Sequence, residues 1–321
     1  MRLMKNIRAG FCFLFILASC SEKSGGNIGS LIIPDGSGNL KPGDVSGLIV
    51  MSSNVRYYSA RNKADDPDTG DRDWENRKVG YFAMVNELQP HVMGVQEAEY
   101  KQLTDIAANC AGYSYVGVCR VDGNTKGEST AIFYKDADIQ VEQWGTVWLS
   151  PTPDVVNSRF DEMTDGKCRT ATWAVLKYKE TEDRFFYINT HLSLVSSQKK
   201  EVAVILNTVV NKNKANLPVV LTGDWNVEEN APALSDLNAV YLSARKRAES
   251  TDNNLTFHWW GDRNVIQKHQ QLDHIFYKGF AGCPLFCTIM TMIGIVHLLI
   301  AQITFPSNKE EFVTPFLVNT N

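Results

Sequence analysis

Several apolar segments of this sequence end in polar side chains of the kinds that bind a metal ion. These polar ends are Asn54, Gln96-Glu97, Asn189-Thr190-His191, Asp224-Trp225-Asn226 and Asp273-His274. Singly, each has an ordinary explanation: Glu97 as a surface carboxylate, His191 as a structural histidine, and Asp224 as part of an Asx-turn. A carboxylate that closes an apolar strand needs a partner, however, because burying an unpaired charge is costly. Carboxylate oxygens are the ligands that Mg²⁺ prefers.

The segments that carry these side chains have the patterns of buried strands and amphipathic helices. Short apolar runs predict strands at Leu48–Arg56, Val92–Glu97, Ser129–Tyr134, Thr170–Lys179, Phe185–Leu192, Pro218–Trp225 and Leu272–Tyr277. Helical spacing of apolar residues predicts helices at Glu75–Leu88 and Lys199–Asn211. The buried face of the first helix is predicted to carry Val79, Phe82, Val85 and Leu88. This mixture of elements favours a layered α/β sandwich.

In this order, the polar strand ends resemble the endonuclease/exonuclease/phosphatase family of magnesium-dependent phosphoesterases. The most specific matching segments are Val95-Gln96-Glu97, Asn189-Thr190-His191-Leu192, Gly223-Asp224-Trp225-Asn226 and Leu272-Asp273-His274-Ile275-Phe276. The resemblance extends from about Leu48 to Tyr277, which we take as the folded domain, residues 48–278. It implies a four-layer α/β/β/α sandwich, in which two sheets pack face to face with helices outside.

The resemblance also implies a role for each polar residue in the hydrolysis of a phosphate ester. Glu97 would bind Mg²⁺, or Mn²⁺, with Asn54 close by, because a cation must mask the charge of the phosphate. Asp224 would orient or activate the attacking water, and Asn226 would help to place the water and the phosphate. His191 would donate a hydrogen bond to a phosphate oxygen in the transition state. The expected reaction is metal-assisted in-line displacement at phosphorus.

Four further residues are implied in support of this chemistry. Asp273 would belong to the network that orients the metal and the histidine. Substrate contact and structural support are equally open for the other three, which are Arg77, Glu128 and Tyr134. The substrate would be a phosphate ester of a small molecule, a lipid headgroup or a nucleic acid. The net charge of −4 lacks the basic excess of a dedicated DNA-binding protein and leans toward a small substrate. No protein partner is predicted.

The N-terminus has the pattern of an export signal. Basic residues precede an apolar run that is too short to span a membrane, and Leu17-Ala18-Ser19-Cys20 follows it. The last four residues resemble the cleavage box of bacterial lipoproteins, which implies a signal peptide at residues 1–19 and lipid on Cys20. Residues 20–47 are rich in Gly and Ser and predict a flexible tether. We therefore expect a lipid-anchored protein of the bacterial cell envelope, with an ordinary signal peptide as the alternative.

The C-terminal tail, residues 279–321, departs from the resemblance. The family ends with a strand that carries a catalytic Asp-His pair, but the only histidine after Tyr277 is His297, in an apolar segment. A membrane span, a buried helix and translation in a wrong reading frame are three interpretations of this tail. An alternative frame across Ala301–Pro306 permits Asp-His-Phe-Pro, and we hypothesise a frameshift between about Tyr277 and Ile300. The chain would then lack its closing strand and general base, and a non-catalytic or impaired surface lipoprotein is the alternative function.

The frameshift hypothesis predicts the result of sequencing the gene across the codons for Phe276 to Lys309. We expect fresh genomic DNA to differ by one gained or lost base that restores Asp-His-Phe-Pro and a stop codon. The same reading in every clone would contradict the hypothesis and show that the histidine is absent.

Overall fold

The computed structural model describes residues 47–248, 250–251, 255–257, 270–288 and 297–305, which contain two mixed sheets. The first sheet has the spatial order β10 (Ser250–Thr251), β12 (Gly282–Thr288), β13 (His297–Thr304), β1 (Leu48–Asn54), β2 (Val92–Glu99), β4 (Glu128–Lys135), β3 (Tyr113–Val116). The second has the order β5 (Ile139–Trp148), β6 (Thr170–Tyr178), β7 (Asp183–His191), β8 (Val219–Asp224), β11 (Asp273–Lys278), β9 (Leu242–Ser243). The described helices are α1 (Trp74–Leu88), α2 (Tyr100–Asn109), α3 (Gln198–Lys212), α4 (Ser235–Asn238) and α5 (Ala244–Arg247).

Three hydrophobic cores separate four layers. The central core joins the two sheets, with Val50 of β1 and Tyr187 of β7 among its members. A second core packs α1 and α2 against the outer face of the first sheet. A third packs α3, through Val202, Ile205 and Val209, against the outer face of the second sheet. The predicted four-layer α/β/β/α sandwich is confirmed.

A buried polar bridge crosses the central core, and we call it the inter-sheet bridge. Asn189 of β7 accepts hydrogen bonds from Gln96 Nε2 at 2.6 Å and from Thr222 Oγ1 at 3.1 Å. Its Nδ2 donates to the carbonyls of Val95 and Ala131 in the opposite sheet. Gly94 makes this close approach possible, because a Cβ there would lie 2.2 Å from Thr222 Oγ1. The bridge holds the sheets in one relative position.

Strand direction brings the predicted site residues to one edge of the sandwich. β1 and β2 are parallel, so Asn54 and Gln96 are paired at their carboxyl ends. β7 and β8 are also parallel, and their ends pair His191 with Asp224. Antiparallel β11 starts at this edge, with Asp273 opposite Asp224. The sequence predicted these strand ends, and the register places them side by side.

The buried face of α1 differs from the predicted face. Val79 is 67% exposed, although Phe82 and Val85 are buried as expected. Trp74 and Arg77 complete the buried face instead. A charged residue occupies a core-facing position here because backbone carbonyls accept hydrogen bonds from its guanidinium group, as described below.

The described part of the tail corrects an expectation about the sheet. Residues 297–304 form β13, which pairs antiparallel with β1 from Leu48↔Ile303 to Asn54↔His297. The expected loss of the closing strand is therefore wrong for these residues, and so are the membrane-helix and buried-helix interpretations. No described helix is long and apolar enough to cross a membrane. The predicted signal peptide, Cys20 and residues 20–46 of the tether lie outside the described residues, as do tail residues 289–296 and 306–321.

The inter-sheet bridge makes Gly94→Ala a test of the packing. The added methyl group should lower the free energy of unfolding by about 1–3 kcal/mol, because Thr222 and Asn189 leave it no room. Gly80→Ala is the control, since nothing lies within 4 Å of its Cβ position and alanine favours a helix. Urea unfolding of both variants measures the difference, and equal midpoints would contradict the close approach of the sheets.

Candidate metal-dependent active site

Three side chains from different strands converge at the shared edge of the sandwich. Glu97, His191 and Asp224 each offer one ligand atom, and these atoms lie within 4.8 Å of one another. His191 Nε2 is 3.8 Å from Asp224 Oδ2, and both side chains are buried. We call these three residues the metal group. Two carboxylates and one imidazole fit Mg²⁺ or Mn²⁺, because oxygen ligands suit Mg²⁺ and both ligand types suit transition metals.

Asn54 joins the two carboxylates of the metal group. Its Nδ2 donates to Glu97 Oε1 at 3.0 Å and to Asp224 Oδ2 at 2.9 Å. Its Oδ1 accepts the backbone N–H of Arg56 at 2.9 Å, which fixes the orientation of the amide. Asn54 was predicted to lie close to the metal, and in the structure it lies between the two carboxylates as a donor that offsets their repulsion.

A bulge in β2 turns Glu97 toward the metal group. The pairing of β2 with β4 shifts register between Gln96 and Ala98, and Glu97 has a left-handed backbone with φ of +61°. A residue other than glycine adopts this conformation at a cost in free energy of about 1–2 kcal/mol. Bulges often re-aim a side chain next to an active site. The backbone N–H of Tyr57, 3.3 Å from Glu97 Oε2, also holds the carboxylate.

The loop that follows β8 carries Asn226 and is held from several sides. The backbone N–H of Asn226 donates to Asp224 Oδ1 at 3.0 Å, and its Nδ2 donates to the carbonyl of Leu192 at 2.8 Å. The Asx-turn that could by itself explain Asp224 is therefore present, and it lies within the site. Buried His274 donates from Nε2 to the carbonyl of Val227 at 2.8 Å, and burial lowers the pKa of this histidine. His274 therefore supports the loop from beneath.

The loop after β7 is anchored by a buried carboxylate that the sequence did not single out. Glu201 accepts hydrogen bonds from Ser193 N at 2.9 Å and from Ser197 Oγ at 2.6 Å. Burial raises the pKa of Glu201. Gln198 Nε2 donates to the carbonyls of Ser193 and Asn226, at 2.7 Å and 3.4 Å. The loops that follow His191 and Asp224 are thus tied to each other and to α3.

Arg77 binds the backbone that follows Asn54, and Tyr134 lies away from the metal group. Arg77 is buried, and its guanidinium donates to the carbonyls of Arg72, Val55 and Arg56 at 2.8–3.5 Å. Burial lowers the pKa of Arg77 to about 10. Tyr134 packs at the far end of β4, six residues from Glu128, or about 20 Å along a strand. The structure therefore favours packing over substrate contact for these two residues.

Glu128 lies beside the metal group, at the edge of a polar cavity of about 240 Å³. Glu128 Oε1 accepts from Arg120 Nη2 at 2.6 Å. Burial and then the nearby charge of Glu97 raise the pKa of Glu128. A larger cavity, of about 750 Å³, lies between α3 and the loop at Pro151, on the outer side of the second sheet. Of these two cavities, the smaller one borders the site.

Arg169 is a candidate functional residue that the sequence analysis missed. It precedes β6, in which Ala171 pairs with Thr190, so it lies at the same edge as His191. Its side chain is buried, and its Nε and Nη1 have no hydrogen-bond partner among the described residues. Its positive charge acts on the carboxylates of Glu128 and Glu201. The only sequence signal was an arginine placed directly before a predicted strand.

Comparisons with known proteins agree with this geometry. The model of the endonuclease/exonuclease/phosphatase family matches residues 51–287. A Bacteroides vulgatus endonuclease/exonuclease/phosphatase is similar in structure, with a TM-score of 0.73 and 24% identity over 81% of this chain and 100% of that one. Bacteroides thetaiotaomicron mannosyl-6-phosphatase has a TM-score of 0.72 and 25% identity, over 81% of this chain and 100% of that one. The human Nocturnin catalytic domain has a TM-score of 0.58 and 18% identity, over 81% of this chain and 94% of that one. The chain matches no curated protein sequence.

The position of Asn54 between two carboxylates predicts a metal-dependent effect of Asn54→Asp. Without divalent cations, a third carboxylate should lower the free energy of unfolding by about 1–3 kcal/mol, because a donor is lost and like charges meet. Excess Mg²⁺ should remove most of this deficit. The control is Asn76→Asp, on the exposed surface of α1. Urea unfolding with chelator and with Mg²⁺ measures the effect, and equal deficits in both would contradict the metal group.

Proposed function

The chain belongs to the endonuclease/exonuclease/phosphatase family, and we propose that it is an exported, lipid-anchored hydrolase of phosphate esters that uses Mg²⁺ or Mn²⁺. The observation that carries this proposal is the convergence of Glu97, His191 and Asp224 within 4.8 Å, with Asn54 between the carboxylates. Two carboxylates placed this close together, one of them buried, are costly to hold without a cation. The metal group is therefore the centre of the proposed chemistry.

In the proposed reaction, Glu97 and Asp224 would hold a cation, which would mask the charge of the phosphate and polarise its oxygens. Asp224 also orients the attacking water. His191 donates a hydrogen bond from its ring to a phosphate oxygen as charge develops there. Asn226, which the loop contacts fix next to Asp224, places the water and the phosphate. Asp273, which is paired with Asp224 in the neighbouring strand, belongs to the network that orients the metal and the histidine.

Arg169 adds a cation for the phosphate in this scheme. A buried guanidinium with open N–H donors matches the geometry of phosphate oxygens, which can accept two parallel hydrogen bonds. Its place at the same edge as His191 supports this role. Arg169→Ala should therefore weaken substrate binding as well as catalysis.

We propose a small phosphate monoester as the substrate, in preference to nucleic acid. The net charge of −4 supports this choice, since a protein that binds long nucleic acid usually carries a basic surface. The similarity to a mannosyl-6-phosphatase, at 25% identity, is a second support. A nuclease would lose DNA affinity steeply as salt rises, because binding releases counterions. A steep loss of this kind would favour nucleic acid.

Export and anchoring rest on the N-terminal sequence. We propose cleavage before Cys20 and attachment of lipid to its thiol, which would place the domain in the bacterial cell envelope. Cys20→Ala should release the protein from the membrane fraction of the producing bacterium. Fractionation checks this, and an unchanged membrane fraction would contradict the lipid anchor.

An impaired or non-catalytic surface lipoprotein is the second candidate function. The observation that favours it is the absence of an Asp-His motif after Tyr277. His297 follows that point, and its backbone is paired with Asn54 at the edge that carries the metal group. A chain restored to Asp-His-Phe-Pro should hydrolyse phosphate esters orders of magnitude faster than the present chain if the lost histidine is the general base. Equal rates would favour the present chain as the complete enzyme.

Hydrolysis of p-nitrophenyl phosphate with Mg²⁺ tests the site in whichever of these two chains is active. Glu97→Ala and Asp224→Ala should each lower kcat/KM by about 10²–10³-fold, since each removes a charge that stabilises the transition state. Chelation of the metal should abolish the rate, and Mg²⁺ or Mn²⁺ should restore it. Asp161→Ala, at an exposed position, is the control. Unchanged rates in the first two variants would show that the site assignment is wrong.

A further inference from the structure

The small cavity beside the metal group is large enough for one compact chemical group. Its volume is about 240 Å³, below the roughly 300–1,000 Å³ of pockets for drug-sized ligands. Its walls include Tyr57 after β1, Glu99 at the end of β2, and Glu128 at the start of β4. The backbone N–H of Tyr57 also binds Glu97, so the cavity and the metal group share a wall. A phosphate at the metal would have its ester group within reach of this cavity.

Glu128 presents a fixed acceptor to the cavity. Its side chain is 13% exposed, and Oε1 accepts from Arg120 Nη2 at 2.6 Å. Arg120 is itself held, because its carbonyl accepts from Trp148 Nε1 at 2.7 Å and from Cys168 Sγ at 3.3 Å. The other carboxylate oxygen of Glu128 has no hydrogen-bond partner within the described ranges. A mostly buried acceptor gains free energy when a donor reaches it.

The charges around the cavity balance. The lining contains two cations, Arg120 and Lys167, and two carboxylates, Glu99 and Glu128, so its formal net charge is zero. Sites that follow a nucleic-acid backbone are positively charged and combine cations with several aromatic platforms. Here the lining contains one aromatic residue, Tyr57. A neutral group with several hydroxyls suits this mixture of donors and acceptors better than a chain of phosphates.

Resting on the function proposed above, we propose that this cavity is a subsite for the hydroxyl-rich, neutral part of a sugar phosphate, with Glu128 accepting hydrogen bonds from its hydroxyls. The cation of the metal group would bind the phosphate, and the cavity selects the group from which the phosphate is cleaved. Arg120 is a positioning residue, because it fixes the Glu128 carboxylate. The subsite adds affinity for the sugar beyond the affinity for phosphate alone.

Binding to the full chain with Mg²⁺, measured by calorimetry, tests this subsite without relying on turnover. The probes are inorganic phosphate and glucose 6-phosphate, the latter as its methylene phosphonate so that the chain cannot hydrolyse it. The unmodified chain should bind glucose 6-phosphate at least tenfold more tightly. Glu128→Gln should weaken the binding of glucose 6-phosphate about ten- to a hundredfold, which corresponds to the loss of one hydrogen bond to a charged group. It should change inorganic phosphate binding less than twofold.

Two further variants keep the result interpretable. Glu128→Asp retains the charge but shortens the side chain. It should therefore weaken the binding of glucose 6-phosphate, and it provides a second test if Glu128→Gln folds poorly. Glu142→Gln makes the same chemical change in an exposed glutamate–arginine pair with Arg184, on β5 and β7, and should alter neither affinity.

Each contrary outcome has its own meaning. The subsite would be overturned if glucose 6-phosphate bound no more tightly than inorganic phosphate. It would also be overturned if Glu128→Gln weakened the binding of both ligands equally. Tighter, salt-sensitive binding of single-stranded oligothymidine than of glucose 6-phosphate would overturn it in favour of nucleic acid. Failure of inorganic phosphate to bind the unmodified chain with Mg²⁺ would instead contradict the proposed function.

Discussion

The active-site geometry depends on the distance between the two sheets. The inter-sheet bridge sets this distance, because Asn189 bonds to Gln96, Thr222 and two carbonyls of the opposite sheet. Only a glycine at position 94 leaves room for it. Asn54 and Glu97 come from the first sheet, while His191 and Asp224 come from the second. A different separation would break the hydrogen bond that Asn54 donates across the gap to Asp224.

The carboxylates of Glu97 and Asp224 repel each other, and a bound cation can relieve this repulsion. Hydrogen bonds from neighbouring residues hold the site's side chains and loops in place. Asn54 links Glu97 to Asp224, and the left-handed backbone of Glu97 aims its carboxylate. Glu201, which accepts hydrogen bonds from Ser193 and Ser197, holds the loop after β7, and His274 holds the loop after β8. Such support is what a reaction needs when its catalysis depends on fixed charges rather than on movement. The polar cavity at Glu128 is built in the same way, with Arg120 fixed by its own contacts.

The sequence predicted seven of the thirteen described strands and two of the five described helices, and its errors have physical causes. The predicted helix over Glu75–Leu88 is α1, but Val79 faces solvent while Arg77 faces the core. Periodicity treats every charged residue as exposed, and it cannot show that three carbonyls will accept hydrogen bonds from a guanidinium. Helix α2 was missed for a similar reason, since its start depends on a capping box between Glu99 and Gln102. The chain was expected to lack its closing strand, yet residues 297–304 pair with β1 because β1 offers a ladder to an apolar strand.

The sequence alone specified the polar strand ends, the layered α/β class and the residue types of the metal group. Those features follow from local patterns, since an apolar strand that ends in a carboxylate is visible in a few neighbouring residues. Tertiary structure alone decided that Asn54 bridges the carboxylates, that Tyr134 lies far from the site and that Arg169 lies near it. These outcomes depend on strand register and on a bulge at Glu97, where a shift of one residue turns a side chain to the opposite face. Register is set by contacts between distant segments, and no single segment of the sequence contains it.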